Sequence, residues 1–148
     1  MTTPADDPVA RLISRLDVEP LGDDVFVART EDDEGRAFGG ELIAQATVAA
    51  GRTCDERALH SLHAYFLRPG KPDTPTRLRV ERMRDGRTFA SRRVYVEQDD
   101  RTICDVTLSF SRPNTGINYQ EPMPQAPAPE TLPTSEELAR ATGWPEPP

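Results

Sequence analysis

The sequence predicts an α+β fold in which an antiparallel sheet packs on one buried helix. Three observations predict it. Residues 38–51, FGGELIAQATVAAG, are small or apolar almost throughout once two glycines are passed. Four later stretches carry strand patterning and are separated by turn signals. Nine of the fifteen prolines lie from Pro113 onward, so helix and sheet belong to the part before them.

The elements follow in chain order. MTTPADD is polar, and residues 1–7 read as a flexible N-terminus. Asp7 and Pro8 fit an N-cap and a first helical position. Val9, Leu12, Ile13 and Leu16 then repeat at i, i+3, i+4 and i+7, a short amphipathic helix. DVFVART reads as a strand and EDDEGR as an acidic loop. From Phe38 to about Ala50 nothing breaks a helix beyond Gly39 and Gly40, and Gly51 fits its stop. Its apolar residues cover most of the circumference, so this helix is expected to be buried.

SLHAYFLRPG is an aromatic strand ending at a Pro-Gly turn. TRLRVERMR puts Leu78 and Val80 on one face. RDGR predicts a hairpin turn centred on Asp85-Gly86. TFASRRVYVEQ places Ala90, Val94 and Val96 in one register, and QDDR turns again. TICDVTLSFS sets Cys104, Val106, Leu108 and Phe110 against Ile103, Asp105, Thr107 and Ser109. EPMPQAPAPETLP reads as an extended linker. Residues 133–139, PTSEELA, start a last helix with an N-cap signal.

The 148 residues suit one domain. A net charge of -7 argues against nucleic acid as a partner, because phosphate contacts need a basic surface. The two cysteines lie in no CxxC or Cys/His cluster, so no zinc site and no disulfide scaffold is expected. No apolar run reaches the roughly 18 residues of a membrane helix, and no signal peptide opens the chain. The expectation is a soluble cytoplasmic protein with no metal and no cofactor.

FGGELIAQA, LHSLHAYFLRPG, RDGRTFASRRV and VTLSFSRP occur in this order. Together they resemble the N-terminal half of acyl-CoA thioesterase II, from about Leu12 into the proline-rich segment. The resemblance implies a hotdog fold, a sheet wrapped around one long central helix, over residues 8–113. Residues 114–148 are then a linker or tail. The family hydrolyses acyl-CoA to fatty acid and coenzyme A and contains two fused hotdogs. Its linker leads to a second hotdog that carries the recognised catalytic residues, including an aspartate at the start of that half's central helix. Its first half usually reads FGGQ, and this chain has Glu41 at that glutamine. Two functions follow as expectations: an acyl-CoA thioesterase built from single hotdog units, or a non-catalytic acyl-CoA-binding or assembly half. Either implies a homo-oligomer or pairing with a second hotdog domain.

Chemistry is expected first at Gly39-Gly40-Glu41. Free backbone N–H groups at a helix start, here those near Gly40 and Glu41, stabilise the oxyanion of an attacked thioester, and glycines permit close approach. Glu41 is either a helix-start residue, a nucleophile or a base. His60 and His63 are the only histidines, and His-x-x-His spacing places them on opposite faces of a strand. That leaves His60 as a candidate base near the helix start. Thr107, with Asp105, is a candidate for holding a nucleophilic water. Seven arginines lie between Arg77 and Arg93. Arg84 and Arg87 among them, and Arg68 beside Pro69-Gly70, are candidate contacts to coenzyme A phosphates. Tyr65, Phe66, Leu67 and Phe89 are core candidates.

Overall fold

The computed structural model describes residues 7–29, 37–72 and 74–144. The expected flexible segment through residue 6 and the acidic loop at 31–36 lie outside the described residues. The elements are α1 (Pro8–Leu16), β1 (Glu19–Gly22), β2 (Val25–Ala28), α2 (Gly39–Gly51), β3 (Ala58–Phe66), β4 (Thr76–Asp85), β5 (Phe89–Gln98), β6 (Arg101–Ser111) and α3 (Ser135–Thr142). Residues through Thr115 form one compact unit and Gly116–Pro148 a second. In the second unit, Pro129–Thr131 make a single 3-10 turn. Thr134 and Glu137 then close a reciprocal capping box at the start of α3, and Gly143 ends it in the left-handed region.

The first unit is a six-stranded antiparallel sheet in the order β1-β2-β4-β5-β6-β3. One face packs on α2. Alternation decides which side chains meet the helix: Leu78 and Val80, Ala90, Val94 and Val96, and Cys104, Val106, Leu108 and Phe110 are all buried. From the helix side, Leu42, Ala46, Ala49 and Ala50 meet them. The alanines let helix and sheet backbones approach closely. Burial pushes the Cys104 thiol up.

Sequence patterning missed β1. Its four residues, Glu-Pro-Leu-Gly, carry one large apolar side chain and a proline. A proline is tolerated there because β1 is an edge strand. The β4–β5 hairpin also departs from expectation. β4 runs through Asp85, and the Gly86 N–H donates to the Phe89 carbonyl at 2.8 Å, so the turn is Gly86–Thr88.

A bulge in β3 matters for the histidines. Leu59 pairs with Phe110 and Ser61 with Ser109, so His60 is an extra residue in the ladder. Its Nε2 lies 2.8 Å from the Ser109 hydroxyl. Ser109 and Thr107 are on the face away from α2, and His63 pairs with Thr107. Both histidines therefore share the outer face. The opposite-face expectation fails because one inserted residue resets the period.

Arg92 sits in the inward register of β5, between Ala90 and Val94, and is fully buried. All five of its N–H donors find acceptors. Nε donates to Thr53 Oγ1, Nη1 to the Arg84 and Ser91 carbonyls, and Nη2 to the Thr53 carbonyl and Asp85 Oδ1. The guanidinium ties the loop after α2 to the β4–β5 hairpin. Arg92→Leu removes all five bonds at once. It is expected to cost about 3 kcal/mol, seen as a lower urea midpoint at unchanged slope. Lysine, with three donors and no fork, is expected to restore under half of that loss.

Candidate active site at the start of the central helix

α2 begins at Gly39 after Phe38, which has extended backbone and offers no side-chain cap. The Phe38 carbonyl accepts from the Glu41 N–H at 3.1 Å and the Leu42 N–H at 3.2 Å. The N–H groups of Gly39 and Gly40 have no acceptor among the described residues. The uncommitted donors are therefore Gly39 and Gly40, one residue earlier than a Gly40/Glu41 pair.

Aromatic rings flank both glycines. A Cβ on Gly39 would lie 3.0 Å from Phe66 Cζ, and one on Gly40 would lie 2.7 Å from Phe38 Cε1. Beside Gly39 opens a cavity of about 450 Å³ between Ala37, Leu42, Phe66, Leu67 and Pro69. On the other side of the helix start a second cavity, about 270 Å³, lies against Leu12, Leu16, Phe38 and Ala44. Two partial positive charges at a helix start thus sit between two mainly apolar cavities.

Backbone fixes this geometry from outside the helix. The Ala37 N–H donates to the Gly70 carbonyl at 3.2 Å. Leu67 and Arg68 both donate to the Ile103 carbonyl, at 2.8 and 3.1 Å. The Lys71 N–H donates to Gln98 Oε1, while Gln98 Nε2 donates to the Lys71 and Thr74 carbonyls and to Thr76 Oγ1. The loop after β3 is therefore bolted to β6 and to the end of β5, and the helix start is bolted to the loop.

Glu41 is buried, and its carboxylate is occupied. Arg15 Nε donates to Oε1 at 3.0 Å and Arg15 Nη2 to Oε2 at 2.5 Å. Gln45 Nε2 donates to Oε1 at 3.1 Å and to the Arg15 carbonyl, also at 3.1 Å. The carboxylate thus joins α1 to α2 as a fork-on-fork ion pair.

The other expected site residues fall elsewhere. His60 and Thr107 are on the outer face of the sheet, which separates them from Glu41. Phe66 meets Gly39, and His60 lies six residues back along β3, roughly 20 Å away at about 3.3 Å per residue. Arg84 and Arg87 belong to the β4–β5 hairpin at the C-terminal end of α2, where Gly51 approaches Phe110. Thirteen helical residues, roughly 20 Å, lie between that end and the helix start. Only Arg68 lines the cavity beside Gly39.

Arg79, Arg82 and Arg93 of the run hold sheet structure. Arg79 and Arg93 lie over the Tyr95 ring at 4.1 and 4.9 Å. Arg93 also pairs with Asp105 and Arg79 with Glu97. Arg82 pairs with Asp24 and holds that carboxyl below its ordinary range. Phe66 has the place of a site residue rather than a core one, since it is 55% exposed. Sequence reasoning missed Arg15 and Gln45. The available signal was Glu41 itself, a carboxylate inside a helix expected to be buried, which needs a cation.

Gly70 is hemmed in by two neighbours. A Cβ there would lie 2.9 Å from Ala37 Cβ and 3.1 Å from Ile103 Cδ1. Gly70→Ala is expected to displace the helix start and cost about 1–3 kcal/mol, read as a lower thermal midpoint.

Comparisons with known proteins bear on this site. A family model for the acyl-CoA thioesterase N-terminal domain matches residues 28–111. Acyl-CoA thioesterase 2 of Haemophilus influenzae is 42% identical over 126 residues, which are 84% of this chain and 44% of that protein. The solved tesB protein of Mycobacterium avium subspecies paratuberculosis is 38% identical, with a TM-score of 0.75 over 82% of this chain and 49% of that one. A hot dog fold protein of Alicyclobacillus acidocaldarius, 21% identical, shares the fold at a TM-score of 0.71 over 83% of this chain and 48% of that one. The chain spans about half the length of these relatives or less. With its helix inside a hotdog sheet and this match, the chain belongs to the acyl-CoA thioesterase N-terminal domain family.

Proposed function

We propose that the chain is one hotdog unit of a fatty acyl-CoA thioesterase that receives the thioester at the start of α2 and completes its site by pairing with a second hotdog unit. The carrying observation is the pair of uncommitted N–H groups of Gly39 and Gly40 between apolar cavities. Attack on the thioester carbon puts negative charge on the carbonyl oxygen. Fixed N–H donors at a helix start stabilise that charge without reorganising. Collapse then breaks the C–S bond, and the thiolate of coenzyme A leaves with the proton taken from the attacking water.

In this reading Glu41 is a clamp. Its oxygens already receive Arg15 and Gln45, so the carboxylate is held in an ion pair rather than presented to a water. Its work is to hold α1 against α2 beside the cavity at Phe38. The group that activates water comes from the second unit.

Pairing is supported by β3. It is a nine-residue edge strand, ALHSLHAYF, with no proline and no charged residue. Leu59, Leu62, Tyr65 and Phe66 on it are all large and exposed. An unguarded apolar edge invites strand addition. The occupant in this proposal is the β3-equivalent edge of a second hotdog, in another copy or in a second domain. A cytoplasmic location goes with this reading, and the two cysteines are free thiols. No helix among the described residues is long and apolar enough to cross a membrane.

A second reading, the acyl-CoA-binding or assembly half without turnover of its own, is favoured by one observation: the carboxylate at the helix start is spent on Arg15. Thiol release from a panel of acyl-CoAs separates the two. Gly40→Ala is expected to keep the fold, because the Phe38 ring it meets is 66% exposed and free to turn. It is expected to lower turnover about 100-fold by crowding the donor pair. Glu41→Gln is expected to keep turnover within about threefold while costing roughly 1–2 kcal/mol of stability. Loss of all turnover in Glu41→Gln at intact fold contradicts the clamp. No turnover by the folded, paired parent chain supports the second reading. Leu62→Asp is expected to abolish pairing in sedimentation; an unchanged mass removes β3 as the edge that pairs.

A further inference from the structure

A third cavity, of about 530 Å³, adjoins the one beside Gly39, and the two share Arg68 and Pro69. Its wall has the opposite character. Arg68, Lys71 and Arg101 line it, with Asp99 the one acid among its described lining residues. The whole chain carries a net charge of -7, so three cations against one acid is a local inversion. It includes the only lysine in the sequence.

The cations are held on a preset frame. Arg68 Nη1 donates to the Thr102 carbonyl at 2.7 Å. Lys71 Nζ donates to Asp99 Oδ2 at 2.6 Å. Arg101 forms no ion pair among the described residues. Gln98, 4% exposed, fixes the Lys71 backbone through two of its four bonds, to the Lys71 N–H and carbonyl. Asp99 and Asp100 both take left-handed φ, 49° and 58°, and so turn the chain sharply between Gln98 and Arg101. The floor is rigid, while the cationic tips of Arg68 and Arg101 face solvent space.

We infer that this cleft, formed by Arg68, Lys71 and Arg101, binds the phosphorylated nucleotide end of coenzyme A while the thioester lies at Gly39-Gly40. The inference rests on the acyl-CoA reading above and adds its direction: the acyl thioester end to the helix start, the phosphates past Pro69. Guanidinium forks and an ammonium suit phosphate oxygens, and an open cleft suits a ligand that stays partly solvated. Lys71 and Arg101 thus take the role that sequence reasoning assigned to Arg84 and Arg87.

The test uses adenosine 3′,5′-bisphosphate, acyl-CoA and acyl-pantetheine, each titrated into the isotopically labelled 148-residue chain and followed by amide shifts. The bisphosphate is expected to move the amides of residues 68–71 and 99–102. Lys71→Ala with Arg101→Ala is expected to weaken bisphosphate and acyl-CoA binding at least tenfold. Acyl-pantetheine, which lacks the nucleotide, is expected to bind parent and variant alike. Unchanged acyl-CoA binding in the variant, or shifts centred on Arg84 and Arg87, overturns the cleft assignment and leaves the acyl-CoA reading standing. Bisphosphate binding at the cleft with no shift by acyl-pantetheine at Gly39 and Gly40 overturns the acyl-CoA reading and keeps the cleft as an anion site.

Discussion

A helix that is apolar around most of its circumference must be covered on more than one side, and the rest of this structure answers that constraint. The sheet covers the face of α2 that carries Leu42, Ala46, Ala49 and Ala50. It reaches that face only because five strands hold their inward register over the length of a thirteen-residue helix. α1 covers a second side, yet none of its own residues is buried. An ion pair and an amide, Arg15 to Glu41 and Gln45 to Arg15, tie it to α2. Removing one partner of such a pair strands the other. The helix start remains open, while Ile43, Ala44, Thr47 and Val48 along the helix are half-buried.

The same constraint gives the site its polarity. Burial of α2 along its length leaves its dipole with one accessible positive end. Two glycines keep side chains away from that end, and Phe38 and Phe66 keep it walled. Gln98 pins the stretch after β3 at Lys71 and Thr74, so the cationic cleft and the helix start share one hydrogen-bonded frame. Pre-positioned donors cost little at the moment of reaction, which is where their advantage over flexible side chains lies.

Much of the fold was legible because it rests on periodicity. β6 reads directly as Cys104, Val106, Leu108 and Phe110 inward, and the structure follows it. α1 was legible from Asp7 and Pro8, and α3 from the N-cap signal in residues 133–139. What escaped was set by tertiary events. β1 is an edge pairing of four residues with no alternation to detect. The His60 bulge shifts one strand by one residue, and no local pattern announces it. Arg92 looked like another surface arginine, although its register between Ala90 and Val94 was already an inward one. Of the candidate site, Gly39, Gly40 and Arg68 could be named from the sequence. The partner of Glu41 stands 26 residues away, and the cations beside Arg68 come from two separate turns.

The central claim is that the Gly39 and Gly40 N–H groups hold the thioester carbonyl. Its most direct test is the infrared carbonyl band of a bound acyl-CoA analogue in which CH2 replaces the sulfur, isolated by a 13C label. Hydrogen bonding from both donors lowers that frequency on binding, and Gly40→Ala moves it back toward the value in an apolar solvent. A band that is the same in parent and variant, with the analogue bound in both, contradicts the account.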